Sequence, residues 1–460
     1  MARAWWKAAS PIVAAMAMPA WAQSATSAPL QPPETAQPAG SATLDPAPAA
    51  AAATSFRRYD DLSIKGWDIP FPKTEDTILA DRGGIRDALA DHGIGILFTA
   101  GNYLQYDFLQ NDGRYRGPQL YNGQRVTRTS SYVTMYAAYD LGEIGIDEGQ
   151  INLTLNYHNT SFTALNSPNR FRVPRLAYFQ SLFGGRVELK LGINDESTEF
   201  FGTNVAGSLA TGSLGPLANI PYQVGVNYSG FATPALNVKV NFKNHFYDKI
   251  GVQRSLPPGG AGPEVALNPS GFTFAPRGTN ALFIDEFGYK RASSAGVKST
   301  WFRGGGIYNL TRYDRFDGNG TARNWALFAA VDQQLTQPDP TRAFRGAYAG
   351  LTINHAPSVQ NRVTNYVEAR LYGIGLIAGR PFDLASLVAT YSTYGDPARR
   401  ALPKPGDGSY PDTTTIIGSY GYRLLPGFYL QPGLGITIHP LVTPRFKPAL
   451  NGYLGVSLLF

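Results

Sequence analysis

The sequence predicts an all-β fold: a transmembrane antiparallel β-barrel of about 16 strands, preceded by a short helix on the periplasmic side. Three observations predict it. Only 16% of the 460 residues are charged, against about 25% in typical soluble domains, so part of the surface does not face water. Beyond the N-terminus no run of about 18 apolar residues occurs, so helical spans are not expected; an apolar band hidden by strand alternation is. The segments between candidate strands alternate long and short, the order of external loops and periplasmic turns in a barrel. An aromatic content of 12% fits the same class.

Residues 1–22 have the makeup of a secretory signal peptide. Arg3 and Lys7 give the basic start, Ile12 to Met18 the apolar part, and Ala20-Trp21-Ala22 a small-residue cleavage site before Gln23. With no cysteine there, a cysteine-linked lipid anchor is not expected. The complete lack of Cys fits an exported chain without a disulfide framework. Residues 23–55 are mostly Ala, Pro, Ser, Thr and Gln and bury no core, so a disordered spacer is expected. Residues 56–93 form a periplasmic segment. It carries the one helical signal, over 78–93, with Asp81 as cap, Ile85, Ala88 and Leu89 on one face and Gly93 as its end. A helix this short needs support, expected at the periplasmic mouth of the barrel.

Residues 94–460 form the barrel. Ile151, Leu153, Leu155 and Tyr157 alternate with Asn152, Thr154, Asn156 and His158. Val187, Leu189, Leu191 and Ile193 alternate with Glu188, Lys190, Gly192 and Asn194, and Leu236 to Phe242 with Asn237 to Lys243. Such period-2 patterns are strands with one apolar and one polar face. Strands are expected near 94–108, 131–141, 150–158, 175–183, 186–194, 222–232, 235–247, 280–290, 295–309, 324–334, 344–354, 362–374, 386–394, 413–424, 427–438 and 450–460. A tight turn at Thr233-Pro234 separates two of them, and a long loop opens near Lys249. The segments 355–361 and 337–341 are the two that fit the length order poorly. The last strand sets Leu454, Val456, Leu458 and Phe460 against Tyr453, Gly455, Ser457 and Leu459, with no charge. As a free edge it would aggregate; in a closed barrel it pairs with the first strand.

Several stretches resemble the carbohydrate-selective porin family of Gram-negative outer membranes. They are Asp81-Arg82-Gly83-Gly84-Ile85-Arg86-Asp87-Ala88-Leu89-Ala90-Asp91-His92-Gly93-Ile94, Leu191 to Glu196, Gly375 to Asp383, and Tyr429-Leu430-Gln431-Pro432-Gly433-Leu434. The resemblance implies facilitated diffusion of glucose-like sugars without a cofactor, in a barrel bathed by outer-membrane lipid and lipopolysaccharide. The aromatic C-terminal Phe460 likewise resembles a signal read by the barrel-assembly machinery. Gly433-Leu434-Gly435 departs from the more polar stretch the family would have there, which touches substrate range and not fold.

A neutral sugar needs fixed donors, acceptors and aromatic faces in a watery constriction. The inward face is expected to carry Asn152, Asn156, Glu188, Lys190, Asn194, Lys239, Asn241, Lys243, Tyr366, Glu368, Arg370 and Tyr372. The opposite parity would place Lys or Arg in lipid at about 2–4 kcal/mol each. Glu188 with Lys190, and Glu368 with Arg370, either form a polar ladder for sugar or neutralise one another across the wall. The third long loop brings Asp195, Glu199 and Phe200 to a constriction if it folds inward, and leaves them exposed if it does not. The candidate sugar-binding residues are therefore Glu188, Lys190, Asn194, Asp195, Glu199, Phe200, Tyr366, Glu368, Arg370 and Tyr372. Arg380 and Asp383 are assigned to turn structure.

Other classes fit less well. No catalytic residue is expected, because no segment sets a Ser, a His and an acid together, although His158 and His245 could meet across the barrel. No His or Cys spacing suits a metal, and Gly304-Gly305-Gly306 lies inside a strand, so it is no phosphate loop. A net charge of +7 scattered along the chain excludes a nucleic-acid stripe. A general or ion-selective porin shares every fold-level feature, a soluble β-rich lectin or adhesin shares the alternation, and the pattern leaves monomer and homotrimer both open.

Overall fold

The computed structural model describes residues 56–69, 71–109, 128–160, 170–203, 205, 219–228, 230–269, 271–403, 407–439, 442 and 447–460. The expected signal peptide and spacer lie outside them. Sixteen strands close into one antiparallel barrel, each hydrogen-bonded to its sequence neighbours and the last to the first. They are β1 Ile94–Asp107, β2 Arg128–Asp140, β3 Gly149–Thr160, β4 Arg170–Leu182, β5 Val187–Asn194, β6 Thr233–Asn241, β7 Phe246–Arg254 and β8 Ala281–Arg291. The second half is β9 Thr300–Asp314, β10 Thr321–Gln334, β11 Gly346–His355, β12 Val363–Ile374, β13 Leu384–Tyr394, β14 Asp412–Leu425, β15 Phe428–Ile438 and β16 Ala449–Leu459.

Closure is made by the C-terminal strand. Thr99 to Asp107 pair with Leu459 to Asn451, and Phe98 and Phe460 exchange two backbone hydrogen bonds of 2.8 and 3.0 Å. Leu454 points out and Tyr453 and Leu459 point in, as the alternation predicts. On β12, Val367 and Leu371 face out while Tyr366, Glu368, Arg370 and Tyr372 are buried inside. The apolar outer belt and the polar inner wall are two faces of the same strands. The connections after the odd-numbered strands lie at one end and include the longest, 195–232 and 255–280, while those at the other end run to at most eleven residues. The length order fails at the two awkward segments: 335–345, at the short-turn end, is longer than 356–362 at the other.

Two expectations are corrected. Residues 222–232 are not a strand. Asn219–Val224 is helical, the connection runs on to residue 232, and Thr233-Pro234 lies within β6. The turn between β6 and β7 is at 242–245, which puts Lys243 in an exposed turn and Lys249 on the inner wall of β7. Val224 and Val226, apolar residues of the expected strand, are buried inside the barrel with Ile220, against Leu282, Ile284, Ile307, Ala326 and Phe328. Their pattern records burial in an inner core and not exposure to lipid. The helical signal at 78–93 yields only the six residues Ile85–Ala90 (α1), which starts after Gly84 in the left-handed region, while Asp81 Oδ1 accepts from the first-turn Arg86 N at 2.8 Å. Ile85 is 63% exposed, so the expected apolar face is not packed. Polar contacts hold α1 instead: Arg58 binds Asp87 at 2.9 Å and also Asp91, and Arg86 donates to the carbonyl of Ile96 on β1.

Ahead of α1, residues 62–69 and 71–78 form a tongue in the short-turn end of the barrel. Lys65 N donates to Gln150 Oε1 at 2.9 Å, and Gln150 Nε2 to Ser63 O at 3.0 Å. Trp67 and Phe71 meet Tyr136 edge-on at 5.9 and 5.2 Å. Farther along, Asp76 pairs with Arg423 at 2.6 Å and Ile78 N donates to Leu459 O at 2.9 Å. Gly427, in the turn between β14 and β15, makes room for this anchor. Its φ is +73°, and a Cβ there would stand 2.6 Å from Ile78 N and 2.7 Å from Leu459 O. Gly427→Ala should therefore cost about 1–3 kcal/mol. Urea unfolding of the detergent-folded barrel reads this directly; an unchanged midpoint would remove Gly427 from the anchor.

Candidate functional site

Two elements that are not barrel strands enter the lumen and meet on one wall. From the long-loop end comes helix α2, Glu196–Phe201. It starts where it does because Asp195 caps it, accepting from Ser197 N at 3.1 Å and Thr198 N at 3.2 Å. Phe200 and Phe201 sink into the inner apolar cluster, joined by a second helix α3, Asn219–Val224. From the short-turn end comes the tongue, with Trp67 and Asp68 at its tip. The third long connection thus folds inward, one of the two outcomes left open for it.

The wall they meet is strongly cationic. Lys190 on β5 pairs with Glu199 at 2.5 Å. Lys249 on β7, 1% exposed, lies 2.7 Å from Asp68, 3.8 Å from the Glu199 carboxylate and 3.6 Å from Glu286. Its Nζ also donates to the backbone carbonyl of Glu199 at 2.6 Å and sits over the Phe200 ring at 4.8 Å. Asp68 further binds Lys239 at 2.6 Å. Arg175 is 3.9 Å from Glu199 and lies under the Trp67 ring at 4.6 Å. Lys249 is therefore the point where wall, helix and tongue are tied together.

Burial raises the Asp68 carboxyl, but Lys249, Lys239 and Lys290 outweigh it and hold the group well below the usual carboxylate range. Glu199 follows the same logic: burial raises it, and Lys190, Lys249 and Arg175 bring it below its ordinary value. Glu196 forms no ion pair among the described residues, and Lys190 offsets its burial only in small part. It accepts from Asn194 at 2.7 Å and Asn237 at 2.9 Å, and burial, with Glu199 nearby, pushes it up to about 7. One end of a six-residue helix thus carries an ionised carboxylate beside a carboxyl that titrates near neutrality.

A second array stands farther round the inner wall, on β10 to β12. Arg370 bridges Glu368 at 2.5 Å and Asp332 at 3.0 Å and donates to Thr352 Oγ1 at 2.7 Å. Tyr366 donates to Glu368 at 2.6 Å and Tyr372 to Asp332 at 3.1 Å. Tyr372 stacks on Tyr348 with centroids 4.9 Å apart. Four of the ten candidate residues are here, in one connected group. The other six belong to the first wall, though not as a Glu188–Lys190 ladder: Lys190 turns to Glu199, and Glu188 accepts from Asn241 at 2.9 Å. Asp68, Arg175, Lys249, Glu286, Arg303 and Asp332 were not among the candidates. Asp68 precedes the barrel in sequence, and Lys249 fell in a segment expected to be loop. Lys290 and Arg303 could have been found by extending inward parity along β8 and β9. Arg380 and Asp383 make a turn pair at 2.8 Å, as assigned. His158, at the long-loop end, contacts Arg172 at 3.4 Å, while His245 lies in the turn at the opposite end, so the two do not meet.

The arrangement offers fixed acceptors and donors along a polar lumen. Two outcomes follow from its electrostatics. Lys249→Met leaves Asp68, Glu199 and Glu286 short of one shared cation, and should cost about 3–5 kcal/mol at neutral pH; urea unfolding in detergent measures it, and a loss under about 1 kcal/mol would deny Lys249 its tying role. Glu196 has a raised folded pKa, so its contribution is full below about pH 4.5 and lost as pH rises through about 7. Glu196→Gln should therefore match the parent at pH 4 and exceed it at pH 8 by roughly 1–3 kcal/mol. Parallel stability curves for the two proteins would contradict that ionisation.

Comparison with known proteins agrees with this architecture. The family model described as carbohydrate-selective porin, OprB family, matches residues 116–456. The high-pH structure of Pseudomonas putida OprB superposes with a TM-score of 0.69 at 17% identity, covering 86% of this chain and 99% of that one. The low-pH structure of the same protein gives 0.53 at 15% identity, covering 84% and 98%. An anion-selective porin from Comamonas acidovorans gives 0.50 at 11% identity, covering 80% and 99%. These similarities are of fold. A search of curated proteins gave no match.

Proposed function

Because the chain belongs to the carbohydrate-selective porin family OprB, we propose that it admits glucose-like sugars across a Gram-negative outer membrane by facilitated diffusion through the barrel lumen. The family match over most of the chain is the observation that carries this reading. Supporting it are two polar arrays on the inner wall, each held in place by its own hydrogen bonds. Glu188, Lys190, Asn194 and Glu199 supply one side of the sugar path. Tyr366, Glu368, Arg370 and Tyr372 supply the other. Asp195 and Phe200 set the start and the seat of the inserted helix and so shape the constriction.

A diffusing sugar has to be bound weakly and repeatedly. Preformed carboxylate acceptors and guanidinium or ammonium donors, already paired with one another, do this well. They exchange a protein hydrogen bond for a sugar hydroxyl at little net cost. Nothing in this reading requires a catalytic group or a cofactor. The remaining assignments follow from it. Residues 1–22 are removed on export, 23–55 act as spacer, 56–93 stay on the periplasmic side, and 94–460 sit among lipid and lipopolysaccharide. Phe460, which completes the β1 pairing, is also the residue offered to the assembly machinery. The barrel works as a monomer or as a homotrimer.

Liposome swelling tests the proposal. Glucose should enter faster than an uncharged non-sugar of equal size and faster than a charged one. Replacing Glu368 and Arg370 together by Gln should narrow the preference for glucose while the barrel stays folded. Equal entry of all three solutes into the parent liposomes would make the protein a general porin.

A further inference from the structure

The inner wall of β6 and β7 sets two like charges face to face. Lys239 and Lys249 are direct partners across the two strands, and Lys290 of β8 stands next to them, 3.7 Å from the same carboxylate that they hold. Like charges opposite one another destabilise a sheet, and a buried ammonium without an anion is costly. The wall itself answers this only in part, since Glu286 lies 3.6 Å from Lys249 and is shared with Arg303 at 4.0 Å. The rest of the answer comes from the two inserted segments: Glu199 of α2 stands 3.8 Å from Lys249 and accepts from it through its backbone carbonyl at 2.6 Å, and the tongue brings Asp68. Asp68 places Oδ1 2.6 Å from Lys239 and Oδ2 2.7 Å from Lys249, spanning the pair. Lys290 donates to the backbone carbonyl of the same residue.

Aromatic faces hold the ammonium groups in position. Lys239 lies over Tyr247 at 4.9 Å and Lys290 over Trp301 at 4.7 Å. Trp301 Nε1 in turn donates to Tyr247 Oη at 3.0 Å, so the two rings brace each other. The donors are therefore set by the barrel, and the acceptor is brought to them by a separate segment. A carboxylate across two lysines, with a third within reach, has the geometry of a clamp for any compact oxyanion.

We propose that Lys239, Lys249 and Lys290 form an oxyanion-binding site for carboxylate or phosphate groups, which Asp68 occupies as a tethered competitor. The site is a property of the barrel wall. Its role rests on the channel reading above: with Asp68 in place, anionic solutes find the clamp filled, and the path is left to neutral ones. An open clamp of three cations would hold a phosphate-bearing solute too long for conduction. Asp68 is thus a specificity-determining residue that never needs to touch a sugar.

Inorganic phosphate is the probe, titrated calorimetrically into the full chain folded in detergent. Asp68→Asn keeps the shape of the side chain and removes its charge. It should bind phosphate about tenfold tighter than the parent or more, because a site filled by its own competitor presents only a small competent fraction. Asp68→Asn binding phosphate no better than the parent would overturn the proposal. The unmodified chain gives a second measurement should that variant not fold. Phosphate competing with Asp68 should speed protease cleavage at Lys65 and Lys73 in the tongue, and chloride at matched ionic strength should not. Equal acceleration by both salts would also overturn it. Neither readout depends on sugar flux, so a failed swelling assay would fall on the porin reading alone.

Discussion

A sheet surrounded by hydrocarbon cannot keep a free edge, since every unpaired backbone group there would go unsatisfied. The whole chain is arranged around that constraint. Sixteen strands are joined by pairing β16 to β1, and the last residue still exchanges backbone hydrogen bonds with Phe98. Once the sheet is closed, its two faces live in different solvents, and period-2 alternation sorts the side chains between them without further instruction. Leu371 is left to lipid while Glu368 and Arg370, its neighbours on the same strand, are turned inward.

Closure solves the outer problem and creates an inner one. The inner faces of β4 to β9 carry Arg175, Lys190, Lys239, Lys249, Lys290 and Arg303, and the same faces offer few carboxylates in return. Charge balance comes from two guests, Glu199 on the inserted helix and Asp68 on the tongue, which share Lys249. Ion pairs in such a place gain by being networked, since each carboxylate is held by several cations and five of the six cations also lie over aromatic faces. The same contacts that neutralise the wall also position the loop and the tongue, so the shape of the lumen and its charge are set together. The apolar side of α2 and α3 completes the fit, with Phe200, Ile220 and Val224 forming a small dry core against Leu282, Ile284 and Ile307.

This division of labour bears on selectivity. The barrel strands supply most of the positive charge, while Asp68 and Glu199, which meet it, come from inserted segments that are not barrel strands. The second array of Asp332, Glu368 and Arg370 is built differently, with every member on strands β10 and β12. One wall is therefore neutralised by inserted segments and the other within its own strands. A neutral solute suits a lumen whose charges are already paired with one another.

From the sequence alone, fold class, strand number and inward parity were legible, because closure in lipid leaves a mark at every second residue. The paired arrays on β12 followed from parity. Two strand errors near residues 222–254 compensated each other in the count. The reason is physical: Ile220, Val224 and Val226 are apolar because they pack inside the barrel, and a period-2 pattern does not say which apolar phase it faces. The helix at 78–93 shrank to one short turn because polar contacts hold it, which hydrophobic spacing does not report. What only the tertiary structure decided is who partners whom. Asp68 lies 181 residues from Lys249 and 171 from Lys239, and no local pattern links them. Alternation is a local consequence of the strand, whereas charge pairing across a lumen depends on where distant segments end once the barrel has closed around them.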